Sequence, residues 1–318
     1  MRKLAKPGDL RRHRGHAVPQ DPLPSQSSRN QPSASSQPRG GFNARPTSTD
    51  AGCDYVQDFV SAAQRVSLNS WLASLHPLWE QRYSTQRPVP EGKQQHRLLR
   101  PVYWLGNWQF ACLGYYEPLR RTQNCAVAAE PFPAILQQLV ATIERRIRNQ
   151  FPVSFVPAGW HLNTCLVNFY GNRFDSGKWV DVARVGEHRD FEPGPVASIS
   201  LGERALFQFI RRGNGSAPPV RTQWLEDNSL QMFGGPVWKD DLLHRVTRVE
   251  NKRHVTIGPN IEAFATRRIN LTFRYVPVTQ VTPVKALSQR AQLDIAPYLA
   301  TLAKHSDFFA RQCHATVT

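Results

Sequence analysis

The apolar positions of this chain change their period part-way along. Between residues 53 and 83, Tyr55, Phe59, Ala62 and Val66, then Leu72, Leu75 and Leu78, recur at near-helical spacing. That predicts one or two helices ahead of a Pro- and Gly-rich turn at 88–92. A clearer helix is predicted at 133–149, where Ile135, Leu136, Leu139, Val140, Ile143 and Ile147 form one stripe and Pro133 suits a first turn. From about residue 162 the texture becomes short β-rich runs separated by Gly, Pro and Asn: 162–170, 196–201, 205–210, 229–233, 242–249 and 268–275. Short strands at such intervals predict a sandwich or jelly roll with the earlier helices packed on one side, a mainly β fold with flanking helices. Helical spacing returns over 283–311 through Ala286, Leu287, Leu293, Leu299 and Leu302. No internal repeat is visible.

Residues 1–50 follow neither period. They hold nine Lys or Arg, three acids, seven prolines, seven serines and a single aromatic, Phe42. Such a segment buries too little apolar surface to offset its ordering entropy, which predicts a disordered basic tail. A phosphate tether and a solubilising tail are equal readings of it, with an organelle transit peptide a lesser one because Pro7, Pro19, Pro22 and Pro24 break any amphipathic helix. The expected organisation is this tail at 1–50, a helical and aromatic-rich extension forming a substrate lid at 51–130, a catalytic core at 131–276 and a helical extension at 277–318.

Composition changes the picture in two ways. With 40% hydrophobic residues over 318 positions the chain fills a core, which excludes whole-chain disorder. Its net charge is +16, of which +10 remains beyond the tail, so the folded part is basic in its own right and points to a polyanionic partner. No apolar run reaches membrane-spanning length and no secretory core follows the N-terminus, so the expectation is a soluble, intracellular monomer without a membrane partner. The cytoplasm is the first expectation for its compartment, with nucleus and mitochondrion as alternatives. The cysteines, at 53, 112, 125, 165 and 313, lack CxxC spacing and read as reduced thiols.

Candidate chemistry lies in the β-rich half. His188-Arg189-Asp190 is followed by His244 in another predicted strand. Two imidazoles and one carboxylate on a rigid sheet are the ligand set of a facial Fe(II) site, and residues two apart on a strand point to one side. Alone, an H-x-D is weak. A second pattern strengthens it: Arg268-Ile269-Asn270-Leu271-Thr272-Phe273-Arg274 presents two guanidiniums, an amide and a hydroxyl to one strand face and apolar residues to the other. Two forked guanidiniums turned inward need carboxylate partners, which a dicarboxylate supplies. Asn168 and Tyr170 share a strand face just before the metal motif, and both side chains can hydrogen-bond carboxylate oxygens.

Together these residues resemble the AlkB-like 2-oxoglutarate and Fe(II)-dependent dioxygenases. The resemblance runs from about residue 132 to 274, with a looser extension back to residue 100, and rests on the N-x-Y strand, the H-x-D, the Ser198-Ile199-Ser200-Leu201-Gly202 strand ahead of Phe207 and Phe209, the distal histidine, and the R-x-N-x-T-x-R strand, in the family's order. It implies a double-stranded β-helix with iron held by His188, Asp190 and His244. It also implies that Arg268, Asn270 and Tyr170 hold the distal carboxylate of 2-oxoglutarate, with Arg274 and Asn168 beside its metal-chelating carboxylate. The implied reaction consumes 2-oxoglutarate and O2 and hydroxylates an N-alkyl carbon, which leaves as an aldehyde. The implied role is oxidative demethylation of alkylated nucleic-acid bases, a form of DNA repair, with a same-fold hydroxylase or demethylase of protein or small molecules as the alternative.

The segment 171–187 departs from the family's shorter loop and reads equally as a substrate lid with Trp179 at its tip or as a surface hairpin. An aromatic-dense stretch, 103–110, with Tyr115 and Tyr116, occupies the position of the family's base-clamping segment. That makes Trp104 and Trp108 stacking candidates for a single-stranded or flipped base, with core packing as the competing reading. Glu192, two residues after Asp190, is the candidate for reading a base edge, with a solvated loop residue as its alternative.

Overall fold

The computed structural model describes residues 51–83, 95–111, 126–213, 217–247 and 256–314. The basic segment 1–50, the turn at 88–92, Cys112, Tyr115, Tyr116 and Cys125 lie outside them. The first half carries β1 (Cys53–Val56), α1 (Ala62–Ala73), β2 (Gln81–Tyr83), β3 (Gln95–Arg97), β4 (Val102–Leu105), β5 (Asn107–Trp108), β6 (Val127–Ala128) and α2 (Ala134–Gln150). Then come β7 (Thr164–Asp175), β8 (Lys178–Asp181), β9 (Val185–His188), β10 (Val196–Gly202), β11 (Ala205–Ile210) and β12 (Arg221–Leu225). The described chain closes with β13 (Ser229–Phe233), β14 (Leu243–Thr247), β15 (Phe264–Arg274), α3 (Gln289–Leu302) and α4 (Asp307–His314).

Two antiparallel sheets dominate. The larger runs β1-β13-β10-β15-β7-β4, with β8 also on β7, and the smaller runs β12-β11-β14-β9. This is a jelly roll with helices against the larger sheet, as the strand spacing predicts. The strand β15 lies between β10 and β7, so the Arg-rich pattern belongs to a central strand and not to an exposed edge. Its Ile269, Leu271 and Phe273 join Phe169 and Ile199 in one cluster with Leu136, Leu139, Ile143 and Ile147 of α2. Full burial of each such side chain contributes about 1.5–3 kcal/mol before ordering entropy is subtracted. The alternate residues of β15, Arg268, Asn270, Thr272 and Arg274, face a cavity instead. Strand alternation here separates an apolar core from a polar interior. A second cluster, including Phe207 and Phe209 of β11, Phe233 of β13 and Val246 of β14, joins the two sheets.

Several sequence expectations need correction. Tyr55 belongs to β1, paired with Gln231 of β13, and only Ala62–Ala73 is helical, started by a capping box between Ser61 and Gln64. Pro133 is the N-cap of α2 and not a first-turn residue. Leu293 points to solvent, and α3 is anchored by Ile295, Leu299 and Leu302. The strands β8, β9 and β12 escape the sequence reading because exposed or edge strands carry too few apolar positions to show a period.

The 171–187 segment is largely a hairpin. Beyond Tyr170 the strand β7 continues to Asp175, turns at Ser176 and Gly177, and returns as β8. Both turn residues have positive φ, 50° and 82°, the combination that a two-residue hairpin loop requires. The hairpin base is pinned by Arg267, which sits at a register shift in β15. Its guanidinium reaches Glu203 at 2.9 Å and Asp181 at 3.4 Å and donates to Asn172. Gly171 permits this close approach, since a Cβ there would lie 1.9 Å from the Ala265 carbonyl oxygen. Among the described residues no helix is long and apolar enough to cross a membrane.

Candidate active site

His188 ends β9, and His244 stands opposite it on β14, with ring centroids 4.2 Å apart. Asp190 lies beyond the strand end, so alternation along β9 does not place it. Arg274 does. Its Nε and Nη2 donate to Asp190 Oδ1 at 2.8 and 2.7 Å, which leaves Oδ2 3.5 Å from His244 Nε2. One ligand atom from each of His188, Asp190 and His244 lies within 4.8 Å of the others.

The donor set fits Fe(II). His188 Nδ1 is 2.8 Å from the Gly186 carbonyl oxygen, so its N–H is held there and Nε2 keeps its lone pair. Burial, then the neighbouring His188 ring, lower the His244 pKa to about 3, so this imidazole is neutral. Its Nδ1 is buried without a hydrogen-bond partner. Burial would raise the Asp190 pKa, but Arg274 and the two imidazoles outweigh it and hold the carboxyl well below its usual range. Two neutral nitrogens and a carboxylate are the ligands that leave three octahedral positions open on a non-haem iron.

The same cavity, of about 1460 Å³, is walled on its other side by the polar face of the larger sheet. Arg268 stands opposite Tyr170, and Asn270 opposite Asn168. Arg268 donates from Nη2 to Ser200 Oγ at 3.0 Å and covers the Tyr170 ring at 4.9 Å, while its buried Nε has no hydrogen-bond partner. Asn270 is fixed by the Ile199 carbonyl oxygen at 3.1 Å and by the Thr272 hydroxyl at 2.7 Å. Arg100, which no sequence pattern marks, donates to Asn168 Oδ1 at 2.7 Å and approaches the Tyr170 ring at 5.2 Å. A buried guanidinium N–H without a partner, on a residue that lines a polar cavity, fits a carboxylate.

Four candidates are not in this cavity. Trp104 and Trp108 are buried in the core, where both indole N–H groups donate to Glu80 Oε1 at 2.8 Å. Trp108 also stacks on Phe110 at 4.1 Å. An indole buried in a core needs one acceptor, and Glu80 serves two, so these rings are structural. Trp179 is exposed on β8 against Phe174, beside the hairpin turn and not at its tip, and does not line the cavity. Glu192 is neither a solvated loop residue nor a cavity residue. It is buried behind Asp190, its carboxylate 3.6 Å from Arg274 Nε, and its backbone oxygen accepts from Lys239. Burial pushes its carboxyl pKa up despite Arg274. Lys239 sits in the π-helical turn Pro236–Asp241, a local geometry with no sequence signature.

The sheet architecture, the convergent donor triad and the guanidinium-bearing wall fit an oxygenase of the iron- and 2-oxo-acid-dependent class. Residues 52–274 match the family model of the 2OG-Fe(II) oxygenase superfamily, and the chain belongs to that superfamily. It is a dioxygenase whose cofactor and co-substrates are Fe(II), 2-oxoglutarate and O2. Among solved structures, the structure of OsALKBH1 is similar at 21% identity over 71% of this chain and 98% of that one, with a TM-score of 0.46. A search of the curated proteins gives no match.

Proposed function

We propose that this dioxygenase removes an alkyl group from a ring nitrogen of a nucleic-acid base, with His188, Asp190 and His244 holding iron and Arg268, Asn270, Tyr170, Asn168 and Arg274 surrounding 2-oxoglutarate. The observation that carries this reading is the shared cavity: the triad and the Arg-rich strand face one space, larger than a dicarboxylate needs. When bound, the iron supplies the oxidising chemistry that couples 2-oxoglutarate decarboxylation to C–H hydroxylation. The protein residues orient and neutralise. Arg274 fixes one oxygen of Asp190 so that the other faces the histidines, and Arg268 offers a fork to the distal carboxylate. Asn168, its Oδ1 taken by Arg100 and one amide hydrogen directed at the Leu166 carbonyl oxygen at 3.5 Å, keeps its second amide hydrogen for an acceptor. The substrate class is supported by the motif resemblance to AlkB-like enzymes and by the +16 charge. With Glu192, Trp104 and Trp108 withdrawn from the cavity, base contacts fall to its own lining, such as Leu99 and Phe191.

Arg268→Lys replaces a planar fork by a point charge. The apparent Michaelis constant for 2-oxoglutarate should rise about tenfold or more, which is about 1.4 kcal/mol. An unchanged constant in a decarboxylation assay would place the dicarboxylate elsewhere.

The substrate reading is tested with single-stranded oligonucleotides carrying N1-methyladenine or N3-methylcytosine. Such bases are cationic and pair poorly, so extruding them costs little. Mass spectrometry should show loss of the methyl group, with formaldehyde released in proportion to succinate and single strands outperforming duplex. Oligonucleotides left intact while 2-oxoglutarate is consumed would instead favour a hydroxylase of protein or small molecules.

A further inference from the structure

The cavity mouth carries cations that neither the iron site nor the dicarboxylate wall uses. Arg189, Arg212, Arg184 and Arg245 all line it, against the acid Glu187. Their states differ. Arg245 is neutralised, its Nη1 2.8 Å from Glu187 Oε1 and its Nε donating to Gln208. Arg189 and Arg212 are in no ion pair among the described residues. Both donate to a single acceptor, the Asp240 carbonyl oxygen, at 2.8 and 3.3 Å. That carbonyl lies at the C-terminal end of the π-helical turn Pro236–Asp241, where backbone dipoles favour cations.

One carbonyl oxygen therefore gathers two guanidiniums from different segments, the link between the metal ligands His188 and Asp190 and the turn after β11. Two cations gathered on one neutral oxygen repel each other, and a bridging anion would offset that repulsion. Each guanidinium has five N–H donors, and a carbonyl oxygen occupies one of each. Two guanidiniums held to one oxygen on an exposed rim can offer their remaining donors as forks to the two non-bridging oxygens of a phosphodiester. We infer that Arg189 and Arg212 form a clamp for one backbone phosphate next to the nucleotide in the cavity, with Arg184 as a further cation on the same rim. This rests on the nucleic-acid reading above and deepens it: it names where the strand is gripped and implies that grip is independent of base identity.

The test is a double-mutant cycle between protein and strand. Oligonucleotides bearing one methylated base, and a single uncharged methylphosphonate linkage moved one position at a time around it, are titrated against the iron- and 2-oxoglutarate-loaded enzyme without O2. At one linkage, neutralisation should weaken binding to the wild-type protein about tenfold, and Arg189→Gln/Arg212→Gln should lose nothing more there. The salt slope of that variant should be shallower by roughly 0.7 per phosphate contact released. Arg212→Gln alone, outside the ligand segment, should show the same blindness in part, which keeps the test open should the double variant fail to fold or load iron. Arg245→Gln should still sense the linkage, because Arg245 already has Glu187. Wild-type binding with every linkage equally costly to both proteins would overturn the clamp and leave the nucleic-acid reading standing. No binding of any oligonucleotide by the wild-type enzyme would overturn that reading first.

Discussion

His188→Ala is expected to abolish 2-oxoglutarate decarboxylation while leaving the far-UV circular dichroism of the protein unchanged. The residue is only half-buried at the end of β9, and the cores on either side of the larger sheet do not include it. Its loss removes one of three donors from an ion that would then hold a single imidazole and a carboxylate. The effect should far exceed the roughly 10–100-fold that follows loss of an outer partner of a metal ligand. His244→Ala and Asp190→Ala should be equally inactive, but they empty buried positions and cost stability as well. Full activity in any of the three would remove that residue from the metal site.

Arg274→Met should damage two properties at once. Arg274 and Asp190 form a buried ion pair, with side chains 5% and 3% exposed. Removing one partner of such a pair costs about 3–5 kcal/mol because the other charge is left buried. The iron-free variant should therefore unfold at markedly lower denaturant concentration. Saturating Fe(II) should recover part of the loss, since the ion then compensates Asp190. The pH dependence has a definite sign. Asp190 is held below its ordinary carboxylate range, so the pair's contribution is complete near neutrality and is lost as the pH falls through the folded-state value. The gap between wild type and variant should narrow in acid. A variant equally stable at neutral pH would mean that Arg274 is not what secures Asp190.

What could be read from the chain follows from how local each signal is. The R-x-N-x-T-x-R pattern is legible because strand period alone dictates that its polar residues share a face, and β15 keeps that face turned to the cavity. The H-x-D was legible as a pair but not in its cause: Asp190 is placed by Arg274, distant in sequence, and not by its own strand. Ring density left Trp104 and Trp108 open between two readings, because it is the same for a core and for a stacking platform. What distinguishes them is Glu80, an acid in an unrelated segment. Glu192 was open in the same way, since its position two residues after a ligand says nothing of burial behind Arg274. Arg100, Arg267 and Lys239 act through contacts across strands and turns, which no one-dimensional period records.

The proposed function has the triad and the Arg-rich strand serving one iron and one 2-oxoglutarate in a common cavity. It is tested most directly by anomalous diffraction from crystals grown without O2 in the presence of Fe(II) and 2-oxoglutarate. One iron peak bonded to His188, Asp190 and His244 is expected, with the dicarboxylate chelating it and its far end against Arg268. Iron bound elsewhere, or a dicarboxylate that makes no contact with β15, would contradict it.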